Sequence, residues 1–150
     1  MRSRLLTSRL TAASLAAAAV IVLAALGPAV WADEAPAAGP APALASLIGF
    51  SERLLAARRP LAICGGGVIA AGAEEELRLL AESLRMGVAT TISGKGSIPE
   101  DHPLAVGVVG SNGGTAETRA LVDAADLVLF IGCRAGSVTT ERWRHPAPGS

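Results

Sequence analysis

The run Pro60-Leu61-Ala62-Ile63-Cys64-Gly65-Gly66-Gly67-Val68-Ile69 constrains the fold more than any other stretch of the chain. From Pro60 to Cys64 it carries no charge, and it stops in three consecutive glycines. A short apolar run bounded by turn signals reads as a strand buried on both faces, as in a parallel sheet covered by helices. The glycines lack Cβ atoms, so the backbone can bend there and let a ligand or a facing helix come close. The pattern is therefore strand, tight turn, helix. Gly65-x-Gly67-x-x-Ala70 also fits the looser dinucleotide fingerprint, in which a pyrophosphate sits on a helix N-terminus.

Of 150 residues, the first thirty or so stand apart from the rest. About 115 remain, enough for one domain with one modest core. Apolar residues make up 51% of the chain and aromatic ones 3%, which suits helices packed closely on a sheet and is not a disordered composition. Formal charge is zero, but Arg2, Arg4 and Arg9 precede every acid; from Asp33 onward 13 acids face 10 bases, a net −3. With no basic stripe or aromatic platform, nucleic acid is not an expected partner. Cys64 and Cys133 each close a predicted strand, in no metal-ligand spacing, and read as small buried hydrophobes. If the chain is exported, a Cys64–Cys133 disulfide becomes possible.

Residues 1–32 resemble a secretory signal: an Arg-bearing start, an apolar stretch from Ala12 to Leu26, Pro28 as breaker, and Val30-Trp31-Ala32 as a cleavage site. The uncharged run from Thr11 to Ala32 is also long enough for a membrane anchor. A misplaced start upstream of a gene fragment produces Ala-rich sequence of the same kind. Residues 33–43, with Pro36, Pro40 and Pro42 among alanines, read as a linker.

The folded part is expected over residues 44–150. Leu44, Leu47, Ile48, Leu54 and Leu55 share one helical face, predicting a helix from about Ala43 to Arg58. After the glycine turn, Gly72 to Met86 predicts a helix with Glu74, Glu75 and Glu76 in its first turn, where they complement the dipole, and Gly87 as its stop. Val88 to Ile92 predicts a second strand, and Leu104 to Val109 a third. A helix over Ala116 to Ala125 leads into a buried strand, Leu127 to Ile131. His102, alone in the loop Ile98 to Pro103, reads as structural or solvated rather than catalytic.

Strands alternating with helices demand crossovers and a parallel sheet, so the loops after the strands open on one edge. Three of these are glycine-rich: Gly65-Gly66-Gly67, Ser93-Gly94-Lys95-Gly96 and Gly132-Cys133-Arg134, the last two carrying a cation. An anionic, nucleotide-like ligand is expected at that edge. The alternative is that the glycines merely make short turns.

Taken in order, Arg59-Pro60, Gly65-Gly66-Gly67-Val68, Gly94-Lys95-Gly96, Pro99-Glu100-Asp101-His102-Pro103-Leu104, Gly107-x-x-Gly110 and Ala125-Asp126-Leu127-Val128-Leu129 with Ile131-Gly132-Cys133-Arg134 resemble the central domain of thiamine-diphosphate-dependent enzymes. The acetolactate synthase and decarboxylase group is the nearest likeness, over roughly Leu44 to Arg144. The resemblance implies an α/β, Rossmann-like domain of the deoxyhypusine synthase type, a six-stranded parallel sheet with helices on both faces. Since the family continues with further strands beyond the position of Ser150, it also implies C-terminal truncation.

In complete enzymes of this kind a pyrimidine-binding domain supplies the activating glutamate, and a diphosphate-binding domain holds Mg²⁺ through a Gly-Asp-Gly segment. This sequence has no Gly-Asp dipeptide. The resemblance therefore implies no catalytic or metal-binding residue here, and no 2-oxo acid decarboxylation by these residues alone. Those two domains, or homologous subunits, are the implied partners, in an oligomer, and the implied setting is cytoplasmic. Some family members carry FAD or ADP in the central domain. The positions matching their contacts are Gly65, Gly66, Gly67, Thr91, Ile92, Gly94, Lys95, Asn112, Gly113, Gly132 and Arg134. Ser93 and Asn112 depart from the flavin-binding pattern.

Two other readings remain open. One is a nicotinamide-dependent oxidoreductase fragment resting on Gly65-x-Gly67-x-x-Ala70; it lacks the acid expected after the second strand, where Ile92-Ser93-Gly94-Lys95 stands. The other is an exported or membrane-tethered binding module, supported by the first 32 residues.

Overall fold

The computed structural model describes residues 44–146. The signal-like segment and the linker expected over residues 1–43 lie outside the described residues. Within them the order is α1 (Leu44–Ala56), β1 (Pro60–Cys64), α2 (Gly66–Ala70), α3 (Glu74–Leu84), β2 (Gly87–Thr90), a 3-10 turn (Ile92–Gly94), β3 (Ala105–Val108), α4 (Ala116–Ala124) and β4 (Leu127–Ile131). The four strands are all parallel, in the order β3-β2-β1-β4. This is the α/β, Rossmann-like arrangement expected, with four strands among the described residues.

Period-two alternation splits the core into two layers. Ala62 and Cys64 of β1 join Val88, Leu77, Leu80 and Ala81 on the α3 side of the sheet. Leu61 and Ile63 join Ala89, Val122 and Ala125 on the α4 side. Every β1 residue is buried, because β1 has a strand on each side and a helix on each face. Leu127 to Ile131, expected to be equally buried, are all half-buried, because β4 lies at the edge of this sheet.

Three boundaries differ from the periodicity, each for a local reason. The helix expected from Gly72 begins two residues later and is preceded by a short one: the glycine run itself starts α2, Gly72 turns left-handed at φ 63°, and α3 begins at Glu74. Helix α3 ends not at Gly87 but at Arg85, whose N–H still bonds the Ala81 and Glu82 carbonyls and whose φ of 51° turns the following residue back on the helix. Met86 N–H then bonds Ala81 O at 2.9 Å and its side chain is fully buried, the hydrophobic closure of a helix end. Gly87 belongs to β2, where a Cβ would stand 3.1 Å from Val106 Cγ2. The second strand stops at Thr90 because the Thr91 hydroxyl accepts from Gly94 N–H at 3.1 Å, drawing the chain into a 3-10 turn.

Glu74, Glu75 and Glu76 occupy the first turn of α3 as expected, and Arg78 pairs with Glu75 and Glu82, each at 2.6 Å. His102 is structural: one ring nitrogen lies 3.2 Å from Glu82 Oε1, and the other accepts from Leu104 N–H at 3.2 Å. His102 and Arg78 together hold the Glu82 carboxyl below the usual carboxylate range. Helix α4 opens with a reciprocal cap, in which Thr115 N–H donates to Thr118 Oγ1 at 2.9 Å and Thr118 N–H to Thr115 Oγ1 at 3.2 Å.

Asp126 fastens the start of β4 to the entry of β1. Its carboxylate accepts from Arg58 N–H at 2.8 Å and Arg59 N–H at 2.9 Å, and those two bonds hold its carboxyl below the usual aspartate range. A depressed folded-state value contributes stability above the unfolded value, near about pH 4, and loses it as pH falls through the folded one. Asp126→Asn is therefore expected to flatten the fall in unfolding midpoint below pH 4 while leaving its slope near neutrality unchanged. Parallel urea titrations from pH 2.5 to 7 check this; superimposable pH profiles would remove the role assigned to Asp126.

Among the described residues, no helix is long and apolar enough to cross a membrane.

Candidate functional site

The segments following all four strands meet at the C-terminal edge of the sheet, around an open groove of about 600 Å³. Gly66 and Gly67 follow β1, Thr91, Ile92 and Ser93 follow β2, Val109 and Asn112 follow β3, and Gly132, Cys133 and Arg134 follow β4. Val138 and Thr139 complete the wall. The edge is the one expected, since parallel strands put every strand-end loop on the same side. The volume lies in the range of small-molecule sites.

Of the residues expected to contact a ligand, Gly66, Gly67, Thr91, Ile92, Asn112, Gly132 and Arg134 line this groove. Gly65 and Gly94 are buried beneath it. Gly113 packs on β3, where a Cβ would lie 2.7 Å from Val108 Cγ1. Lys95 lines a separate hollow of about 310 Å³ beside β3, and its ammonium is answered by Glu100 at 2.7 Å. The pair of loop cations expected from the sequence is thus reduced to one. Arg134 is that one: it is exposed and makes no ion pair among the described residues.

The glycines serve loop-to-loop packing. A Cβ on Gly65 would fall 2.2 Å from Cys133 Cβ, one on Gly94 2.2 Å from Cys64 O, and one on Gly132 2.6 Å from Val68 N. No side chain fits at such separations, so glycine is what lets three strand-end loops touch. The contact also consumes backbone donors at the start of α2. Gly67 N–H bonds Gly132 O at 2.9 Å, Val68 N–H bonds Gly65 O at 3.1 Å, and Gly65 N–H bonds Ile131 O at 2.9 Å. A five-residue helix whose Gly67 and Val68 amides are already committed offers a poor pyrophosphate cradle. The dinucleotide fingerprint is matched in letters but not in geometry, which removes the footing of the nicotinamide reading.

The two cysteines lie on opposite faces. Cys64 belongs to the α3-side layer, whereas Cys133 packs against the α4-side layer and its thiol lies 3.3 Å from Ile63 O. Both are free: Cys133 lies past the end of β4, where the left-handed turn at Gly132, φ 58°, breaks the strand alternation and sends its side chain to the interior opposite that of Cys64. Burial pushes the Cys64 thiol up to about 12, with Cys133 adding to the shift, and burial raises Cys133 as well. Neither is a thiolate near neutral pH, so neither is an activated nucleophile. No group of three or more His, Cys, Asp or Glu side chains among the described residues could hold a metal ion.

The ligand-facing chemistry of the groove is therefore mixed. Ile92 and Val138 present large apolar surfaces, 56% and 55% exposed. Asn112 supplies an amide and Arg134 a guanidinium, both exposed. Every buried side-chain polar atom among the described residues already has a partner, so the groups open to a ligand are those on the groove surface. Apolar flanks with a cation that makes no ion pair among the described residues suit a flat ring system bearing an anionic group.

Val109, Val138 and Thr139 were not anticipated. Val109 enters directly from the end of β3, whereas Val138 and Thr139 arrive through the fold-back of the segment after β4, where Ser111 N–H bonds Val138 O at 2.9 Å and a Cβ on Gly110 would meet that same oxygen at 2.7 Å. A contact spanning 27 residues leaves no local signal; the positive φ of Gly110, 98°, is its only trace in residue type.

Residues 50–149 match the family described as thiamine pyrophosphate enzyme, central domain. A probable acetolactate synthase large subunit from Methanocaldococcus jannaschii is 46% identical over 104 residues, covering 69% of this chain and 16% of that protein. A probable 2-ketoarginine decarboxylase from Pseudomonas aeruginosa is 39% identical over 107 residues, covering 71% of this chain and 18% of that one. A solved structure described as a thiamin diphosphate-dependent enzyme, from Mycobacterium smegmatis, is 34% identical with a TM-score of 0.49, covering 57% of this chain and 16% of that one. The chain thus spans less than a fifth of the length of the curated relatives it matches.

Proposed function

Because this chain belongs to the thiamine pyrophosphate enzyme family through its central domain, we propose that it is the nucleotide-seating middle domain of an acetolactate synthase-like enzyme acting on 2-oxo acids. In such an enzyme thiamine diphosphate with Mg²⁺ supplies the nucleophile and the carbanion sink. The residues that activate and hold it belong to pyrimidine-binding and diphosphate-binding domains, the partners this reading requires, within a cytoplasmic oligomer. The part assigned to residues 44–150 is to position those domains and to seat an adenine nucleotide, ADP or the ADP moiety of FAD.

The observation that carries the nucleotide reading is the exposed Arg134 guanidinium, without an ion pair among the described residues, on a groove built by the segments after all four described strands. Arg134 would meet the diphosphate, whose planar oxygen sets suit a forked guanidinium. Ile92 and Val138 would flank a ring, and Asn112 would hydrogen-bond a polar edge. Thr91 stays structural, its hydroxyl committed to Gly94 N–H.

Calorimetric titration of the full chain with ADP, FAD and NAD tests this. ADP and FAD are expected to bind, and NAD, which shares the ADP moiety, no more tightly than ADP, because the engaged α2 amides add no grip for its nicotinamide half. Absence of binding by all three would leave an architectural domain within the same family. Preference for NAD would restore the oxidoreductase reading.

A further inference from the structure

The second hollow, beside β3, lies on the α3 side of the sheet. Val88 and Thr90, which alternate onto that face of β2, form its floor together with Ile98. All its walls come from one continuous stretch, residues 88–108, and they surround about 310 Å³, at the lower end of small-molecule sites. Thr90 is only 6% exposed, yet its hydroxyl makes no hydrogen bond among the described residues. The other buried hydroxyls, those of Thr91, Ser97, Thr118 and Thr140, are all bonded. Since no fully buried side-chain oxygen or nitrogen among the described residues lacks a partner, the Thr90 hydroxyl is reachable, and the cavity it lines is this one. At the rim, Lys95 Nζ and Glu100 Oε1 stand 2.7 Å apart on side chains 59% and 70% exposed. An ion pair so open to water contributes little, so a ligand can part it at small cost.

We propose that this hollow binds a small hydroxylated α-amino acid, with threonine as the member that matches all its groups. A cation and an anion side by side on the rim suit the two charges of a zwitterion, Lys95 taking the carboxylate and Glu100 the ammonium. Below them the buried Val88 and Ile98 offer apolar surface to a methyl group. The ligand hydroxyl meets Thr90, which gives a partner to a buried hydroxyl that otherwise has none. A purely aliphatic side chain would leave that group unpaired. The hollow shares no lining residue with the groove that carries Arg134, so the proposal stands apart from the nucleotide reading.

Titration of the full chain with threonine, followed through its backbone amide resonances, should give saturable shifts centred on residues 88–108. Valine, the same shape without the hydroxyl, should bind roughly 3- to 10-fold more weakly, the range for one neutral hydrogen bond. The des-amino analogue, 3-hydroxybutanoate, should also bind more weakly, because nothing then answers Glu100. Thr90→Val should abolish the preference for threonine over valine. Its unfolding midpoint should be no lower than the wild type's, since the hydroxyl removed had no partner. Lys95→Ala should weaken threonine by roughly 10-fold. Absence of saturable binding, valine binding as tightly as threonine, or a preference that survives Thr90→Val overturns the proposal. So do shifts centred on the Arg134 groove, or a marked fall in the Thr90→Val midpoint, which would mean that the hydroxyl is bonded within the fold.

Discussion

Gly94→Ala will lower the unfolding free energy by roughly 3 kcal/mol or more, read as a fall in the urea midpoint. The added methyl would stand 2.2 Å from Cys64 O and 2.8 Å from Gly65 Cα, both backbone atoms, at a buried position. Neither can retreat cheaply. Cys64 O accepts from Thr91 N–H at 2.8 Å, and Gly65 N–H donates to Ile131 O at 2.9 Å, so moving either breaks the contact between neighbouring strand ends. Gly49→Ala is the matched control: it sits inside α1 with nothing within 4 Å of the added atom, and should gain about 1 kcal/mol from helix propensity alone. A loss under about 1 kcal/mol for Gly94→Ala would mean that the loops are not packed against one another.

Arg134→Ala will weaken ADP binding by roughly 10- to 100-fold, the range expected when a charge-assisted bond to a phosphate is removed. Arg134→Lys should recover part of that loss, because a point charge replaces the fork without its paired donors. The unfolding midpoint should barely move, since Arg134 is exposed and makes no ion pair among the described residues. Lys95→Ala supplies the contrast. Its ammonium faces Glu100 across a different hollow, so ADP affinity should be unchanged. Equal losses for the two variants would indicate nonspecific attraction to a cationic surface. No loss for Arg134→Ala would place the nucleotide elsewhere or nowhere.

The sheet was legible because its signals are local. Pro60 to Cys64 and Leu127 to Ile131 appear as strands with the boundaries their apolar runs mark, since each run feeds the core layers on both faces of the sheet. Boundaries decided by one hydrogen bond were not legible. The Thr91 hydroxyl ends β2 two residues early, and Arg85 rather than Gly87 adopts the left-handed conformation, each outcome depending on a partner that periodicity does not reveal. Among the candidate site residues, Lys95 and Arg134 look alike in sequence, each a cation in a glycine-rich loop. Glu100 answers one and no described residue answers the other.

Residue order alone determined the α/β class, the single edge at which the strand-end loops gather, and the kinship with thiamine-diphosphate enzymes, because these follow from alternating apolar runs and ordered short motifs along the chain. Tertiary structure decided what the glycines do. Their clearances of 2.2–2.8 Å to other loops show that the side chains were omitted to bring backbone against backbone.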